Sequence, residues 1–439
     1  MIRIANGQGF WGDWLEAPVR LVEQGPLDYL ALDYLAEVTM SILQKQRQAD
    51  PNLGYAKDFP PLIARIAPKL NHLRVIANAG GVNPIACAKE VRRLVPNLKV
   101  AVVLGDDVLP RLDEFLDKGY AMADLDTSQP LTTIRDRILA ANAYVGAFPI
   151  AEALATGAHV VITGRCTDPA LALGPMIYRF GWTPDDYHKL AAGTIAGHII
   201  ECGTQCTGGN CQVDWPSLPH LADIGYPIVE AHANGTFTVT KHPGTGGRVH
   251  SDIVKEQLLY ELGDPQNYIN PDCIADFTTI RLEDEAPDRV HVTGIKGKPR
   301  PKDIKLSIAY ANGWKAIGTL VYTWPQALEK AKAADAIVRR RLQDLNLRFD
   351  EILTEYFGAG AVLGIEVPDP PEVQLRIGVR GQDKRSIDRF TREMIPLVLN
   401  GPPGATGYGE GRPKVREVVS YWGALIPQTE IQPKVEVIE

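Results

Sequence analysis

The feature that most constrains the fold is an alternation running through the first half of the chain. Short β-rich runs at 2–5, 29–33, 73–78, 99–104 and 159–163 alternate with helical runs at 16–23, 59–70, 84–94 and 150–156. Strands joined through helices require a parallel sheet with helices packed on it. The expected architecture is a doubly wound, largely parallel α/β sheet. A barrel-like α/β arrangement is the alternative, because periodicity leaves the strand count open. Ligands of such sheets bind at the C-terminal strand ends. The turns at those ends are GQGFWGD from Gly7, NAGGVNP from Asn78, GDD from Gly105 and GRCTD from Gly164.

Residues 208–300 are rich in turns, with one helical run at 254–262, and read as an insertion covering a ligand. After residue 300 the pattern changes. Strand runs at 304–310 and 316–324 flank Asn312-Gly313, a hairpin signal, followed by helix 326–345, strands 351–356 and 373–379, helix 385–395 and strand 415–422. One leading strand and then βαββαβ is the order of a ferredoxin-like α+β domain. The expected division is an α/β domain over 1–300 and a ferredoxin-like domain over 301–439.

A chain of 439 residues holds more than one ordinary core. Its 46 Lys and Arg face 53 Asp and Glu, and no arginine-rich stripe offsets that excess, so nucleic acid is not an expected partner. No apolar run approaches the roughly 20 residues of a bilayer span. The N-terminus reads as a strand and a turn rather than a signal sequence, and six cysteines in so long a chain suit a reducing compartment. A cytoplasmic protein is expected.

The densest group of reactive side chains is HIIECGTQCTGGN, from His198 to Asn210. Within it, ECGTQCTGGN resembles a signature of the acyclic terpene utilisation family, the AtuA-like proteins. Matching blocks run nearly end to end: GQGFWGD, LDYLALDYLAEVTM from Leu27, NAGGVNP, VVITGRCTDPAL from Val160, KHPGTGG from Lys241, QLLYELGDPQNYINPD from Gln257 and GPPGATGYGEGRPKV from Gly401. The resemblance implies catabolism of branched, terpenoid-like acyl-CoA intermediates, with hydration as the expected step. No cofactor is then expected, CoA being part of the substrate. Cys202 falls on a motif position of the family, whereas Cys206 stands where a small residue is usual. The resemblance also implies a small ferredoxin-fold companion protein. A homo-oligomer is expected as well, since a sheet ending near the C-terminus leaves an edge to cover.

Residues three and four apart are neighbours on a helix, so His198, Glu201 and Cys202 would share one face. Glu201 and Asp168 are the expected acid and base of a hydro-lyase, with His198 assisting. Cys202 is a nucleophile candidate if its thiolate is stabilised. The N–H groups of Gly208 and Gly209, beside Asn210, would polarise the thioester carbonyl. Arg165 offers a planar fork for a carboxylate or phosphate, or else pairs with Asp168. Asn78, Gly80, Gly81 and Asn83 lead into a helix whose N-terminus suits an anion, or form a plain turn. Lys241 and Arg248 in KHPGTGGR are candidates for the CoA phosphates, or belong to a hairpin loop. His198, Cys202, Cys206 and Cys211 lack knuckle spacing, so no metal is expected. Asp106 and Asp107 read as surface caps.

Gly7 to Gly12 matches GxGxxG, with Asp33 at the distance of a ribose-binding acid. Phe10 and Trp11 would crowd a pyrophosphate there, and Asp13 reads as the cap of the following helix. The glycine-rich stretch 401–413, with Tyr408, Glu410 and Arg412, serves a pocket or an interface. Two other functions stay open: a non-catalytic scaffold of an acyl-CoA-processing complex, and a nicotinamide-dependent oxidoreductase using the first turn.

Overall fold

Five parallel strands form the centre of the first unit. They are β1 (Ile2–Asn6), β2 (Tyr29–Leu32), β3 (Arg74–Ala77), β4 (Val100–Leu104) and β5 (Val160–Thr163), hydrogen-bonded in the order β1-β2-β3-β5-β4. Runs such as VAVVL and VVIT are apolar at nearly every position because both faces of this sheet are covered. Leu30, Leu32, Val75, Ala77, Val160 and Ile162 join one core with helices Ala17–Gln24, Phe59–Ile66 and Pro84–Leu94. The alternate residues Ala31, Ile76 and Val161 are buried outside that core. Helices Phe148–Ala155, Ala170–Phe180 and Tyr187–Glu201 lie against the same strands on this opposite face. Each buried aliphatic side chain contributes about 1.5–3 kcal/mol.

The computed structural model describes every residue except Glu366, Tyr408, Glu410 and Glu439. Two side chains of the 401–413 stretch, Tyr408 and Glu410, therefore lie outside the described residues. The chain divides into Met1–Ala309 with Tyr421–Glu439, and Tyr310–Ser420. The first unit thus extends past residue 300, and the tail returns to it: Lys434–Ile438 pairs antiparallel with β4.

The sheet is open, which removes the barrel alternative. Beyond β1 it continues antiparallel through Pro227–Ala231, Phe237–Lys241, Arg289–Thr293 and Arg281–Ala286, to a total of ten strands. Residues 208–300 are therefore far richer in strand than their turns suggest. The edge strand RLEDEA is exposed at most positions, so it carries no hydrophobic alternation to reveal it.

Helix Tyr187–Glu201 is buried without a break from Leu190 to Ile200. A helix covered all round has no amphipathic period, and only its polar C-terminal end stands out in the sequence. On one side Gly197 meets the chain at Pro169, where a Cβ would come within 2.6 Å of backbone atoms. A small antiparallel sheet of Tyr268–Ile269, Ile274–Asp276 and Lys296–Lys298 also packs on this helix.

In the second unit, the stretch from Trp314 to Thr323 of strand Asp303–Thr323 pairs antiparallel with Glu372–Gly381, which in turn pairs antiparallel with Glu351–Phe357. The strand order is 351–357, 372–381, 303–323, 416–427. Helices Ala327–Asp344 and Lys384–Met394 build its core, with Leu328, Val338 and Leu342 meeting Ile387, Phe390 and Met394. The expected hairpin at Asn312-Gly313 does not form. Both residues lie within one long strand, where Gly313 takes φ 86, because the second flank bonds to 372–381 instead of folding back on the first.

Candidate active site

Each parallel strand delivers a buried polar residue at or just past its C-terminal end. These are Asn6 and Gln8 from β1, Asp33 from β2, Asn78 from β3, Asp106 from β4 and Arg165 from β5. The helices that follow β3 and β5 run to opposite faces although the two strands are neighbours. Such a divergence opens a crevice at the strand ends, and Asn78 and Arg165 stand on its two sides.

Asn78 Nδ2 donates to Asp33 Oδ1 at 2.7 Å, and its own Oδ1 accepts from the Tyr34 N–H at 2.7 Å. Burial, helped by the charge of Asp168, pushes the Asp33 carboxyl well above its ordinary value, against the pull of Arg165 and Asn78. Arg165 Nη1 donates to Asp168 Oδ1 at 2.5 Å and to Cys166 O at 2.9 Å. Its guanidinium lies 4.2 Å from the centre of the Tyr144 ring, whose hydroxyl donates to Glu37. Burial opposes the Arg165 charge, but Asp168 and its other neighbours outweigh it and hold the group protonated. The Arg165 backbone N–H donates to Asp106 Oδ2 at 2.8 Å, and Asn142 Nδ2 to the same oxygen at 2.9 Å. Asp106 is thus an interior residue and not a surface cap, its carboxyl raised by burial to about 7.

Helix Tyr187–Glu201 brings the second set of groups. His198 Nδ1 lies 2.9 Å from Glu201 Oε1, and both side chains are buried. Asn6 Nδ2 donates to Ile200 O at 2.6 Å and Glu201 O at 2.8 Å, pinning the helix end to β1. Burial raises the Glu201 carboxyl to about 7; His198 opposes the shift, and the charges of Asp168 and Glu261 add to it. Burial alone would lower His198, but the charge and hydrogen bond of Glu201 carry it upward. Glu201 Oε2 has no hydrogen-bond partner among the described residues. An unpaired buried oxygen on a carboxyl that titrates near neutrality is suited to moving a proton.

Cys202 ends this helix, but burial and then the charge of Glu201 push its thiol up to about 12. It stays protonated at neutral pH, so the expected thiolate nucleophile is not supplied here.

Several other expected groups are committed elsewhere. The N–H of Gly208 donates to Gln205 O at 3.4 Å and that of Gly209 to Thr204 O at 2.7 Å, so neither is free for a carbonyl oxygen. Asn210 is exposed in the left-handed region. Asn83 caps the helix that follows it, and its amide donates to Pro51 O and Leu53 O. Gly80 donates its N–H to Thr163 O at 3.1 Å, and Gly81 is needed at φ 53, where a Cβ would strike Leu43. Of that turn only Asn78 enters the cluster; the rest is a βα connection. Lys241 is buried against Asp288 at 3.0 Å and Thr245 O at 2.8 Å, and Arg248 reaches Ser217 O at 3.5 Å. A buried, paired lysine is not available to a phosphate.

The first glycine turn is also filled from within. Gly9 N–H and Trp14 N–H donate to the Asp13 carboxylate, as does the Tyr226 hydroxyl, and the helix begins only at Ala17. Asp13 closes the turn instead of capping a helix, and no helix N-terminus faces a pyrophosphate. Glu37 and Tyr268, which lie inside matching blocks without having been singled out there, and Asn142 and Tyr144, which lie in no motif, belong to the site's surroundings. Only their placement in the folded chain exposes them.

A family model described as the acyclic terpene utilisation family protein AtuA matches residues 2–437. The chain belongs to the AtuA family. That match covers both units, and it places the chain in a family implicated in acyclic terpene utilisation. No curated protein and no solved structure matches it. Among the described residues, no group of three or more His, Cys, Asp or Glu is arranged to hold a metal ion. No described helix is long and apolar enough to cross a membrane.

Proposed function

We propose that this AtuA family protein is a cytoplasmic hydro-lyase that adds water to, or removes it from, the CoA thioester of a branched acid. The observation that carries the reading is the buried His198–Glu201 pair, with a carboxyl titrating near 7 and one oxygen unpaired. Its place at the ends of parallel strands, next to Asp168 and Arg165, supports a reacting centre there. In the hydration direction Asp168 takes a proton from water as the oxygen bonds to the β-carbon. Protonated Glu201 gives its proton to the α-carbon, and His198 sets the proton affinity of Glu201. Arg165 holds Asp168 in place. CoA enters as part of the substrate.

We read the second unit as ferredoxin-like: a sheet in the order 351–357, 372–381, 303–323, 416–427 with two helices supports this. Its edge strand Glu351–Phe357 favours a homo-oligomer or a small ferredoxin-fold partner.

The test is turnover by purified protein of 2-enoyl-CoA and 3-hydroxyacyl-CoA thioesters carrying a 3-methyl branch. Interconversion supports the hydro-lyase. Complete inertness toward the branched esters would favour a non-catalytic scaffold. The nicotinamide reading loses its support with the internally closed first turn.

A further inference from the structure

The site contains an acid and a base, but the glycine turn expected to polarise a carbonyl has spent its N–H groups internally. Tyr268 is positioned to do that work. It lies in the small sheet that packs on helix Tyr187–Glu201, paired in register with Ala275. Its ring centre is 5.4 Å from the His198 imidazole and 5.1 Å from the Phe277 ring, while Phe277 stands 5.6 Å from His198. Three rings in mutual contact fix the direction of the phenol. Among the described residues nothing hydrogen-bonds to its hydroxyl.

The surroundings of that hydroxyl are acidic. Burial first, and then the charges of Glu201, Asp168 and Glu261, push the phenol well above its ordinary range, so it keeps its proton throughout the physiological span. A fixed, protonated and unpaired donor next to an acid–base pair is what a developing oxyanion requires.

We propose that the Tyr268 hydroxyl is a catalytic residue that donates a hydrogen bond to the carbonyl oxygen of a thioester, stabilising its enolate. This rests on the acid–base reading of Glu201. When the α-proton leaves to the Glu201 carboxylate, the C–H electron pair forms the enolate C=C bond and the carbonyl π pair moves onto oxygen. Tyr268 keeps its proton and only strengthens its hydrogen bond as the charge grows. Asp168, which takes the water proton in the hydration direction, returns it to the β-hydroxyl, which leaves as water. The oxyanion pair reforms the carbonyl, and the enolate C=C pair becomes the Cα=Cβ bond of the enoyl product.

Tyr268→Phe keeps the ring contacts and removes only the donor. Assayed on the 3-methyl-branched 3-hydroxyacyl-CoA thioesters, it is expected to lose about 10²–10³-fold in kcat. KM should stay within about threefold and the limb near pH 7 should persist, because the interaction strengthens only in the transition state. Its melting temperature, read by circular dichroism, should match that of the wild type. A folded Tyr268→Phe with wild-type kcat would overturn the assignment, and so would a loss confined to KM. If the variant melts early, Tyr268→His, which restores a ring donor, is expected to recover part of kcat; failure to exceed Tyr268→Ala would count against the proposal. The two readings separate cleanly. Full activity in Glu201→Gln removes the acid–base reading, whereas loss in Glu201→Gln with none in Tyr268→Phe removes only this one.

Discussion

His198 Nδ1 and Glu201 Oε1 meet at 2.9 Å, three residues apart on one buried helix. A pair so enclosed makes its charge state sensitive to pH. The folded-state carboxyl of Glu201 is raised to about 7 from an ordinary 4.5. A raised carboxyl binds its proton more tightly in the folded state. That contribution to stability is full below about pH 4.5 and is lost as pH rises through 7. Glu201→Gln mimics the protonated form at every pH. Urea unfolding at pH 4.5 and pH 8 should therefore show the wild type losing on the order of 2–3 kcal/mol relative to the variant. A relative gain by the wild type would mean that imidazolium depresses the carboxyl instead.

Asn6 connects β1 to the end of this helix through two carbonyls. Asn6→Ala leaves those buried oxygens without their donor, and unfolding should become easier by about 1–3 kcal/mol. Turnover should fall along with stability, because Glu201 loses its fixed position. Unchanged denaturation midpoints would show that water replaces the amide.

Gly197 allows the same helix to approach Pro169. Gly197→Ala places a Cβ 2.6 Å from backbone atoms that cannot yield as a flexible side chain would. Overpacking of this kind costs about 1–3 kcal/mol, which outweighs the roughly 1 kcal/mol that alanine brings to a helix interior. Thermal melting should show net destabilisation. A stabilised variant would contradict the contact.

Lys241 serves stability rather than ligand binding. Lys241→Met leaves Asp288 and the Thr245 carbonyl without their cation, and should lower stability by about 1–3 kcal/mol. KM for a CoA thioester should not change. A large rise in KM with unaltered stability would restore the phosphate-binding role.

The parallel strands were readable because their apolar runs are continuous and all but Tyr29–Leu32 end in turns that contain glycine; Val160–Thr163 is the clearest of them. His198 and Glu201 were readable because helical spacing alone makes them neighbours. The strands from Pro227 to Thr293 were harder to see, since exposed runs such as RLEDEA lack alternation and tertiary pairing sets their state. At Asn312-Gly313 a local turn preference lost to a long ladder with 372–381. The glycines of the 203–210 turn looked like ligand-binding backbone because the sequence does not show where their N–H groups point. Asp33 stood out only for its distance from the first glycine turn, and nothing local singles out Glu37 or Tyr144. They become site residues only when the ends of separate strands converge.

The central claim is that the Glu201 carboxyl moves the proton, and isotope exchange tests it most directly. The protein is incubated in D₂O with a 3-methyl-branched 3-hydroxyacyl-CoA thioester, and deuterium at the α-carbon is followed by mass spectrometry. The account predicts exchange in the wild type and at least about a 10²-fold loss in Glu201→Gln, whose amide keeps the shape but cannot carry the proton. Exchange at the wild-type rate in a folded Glu201→Gln would contradict it.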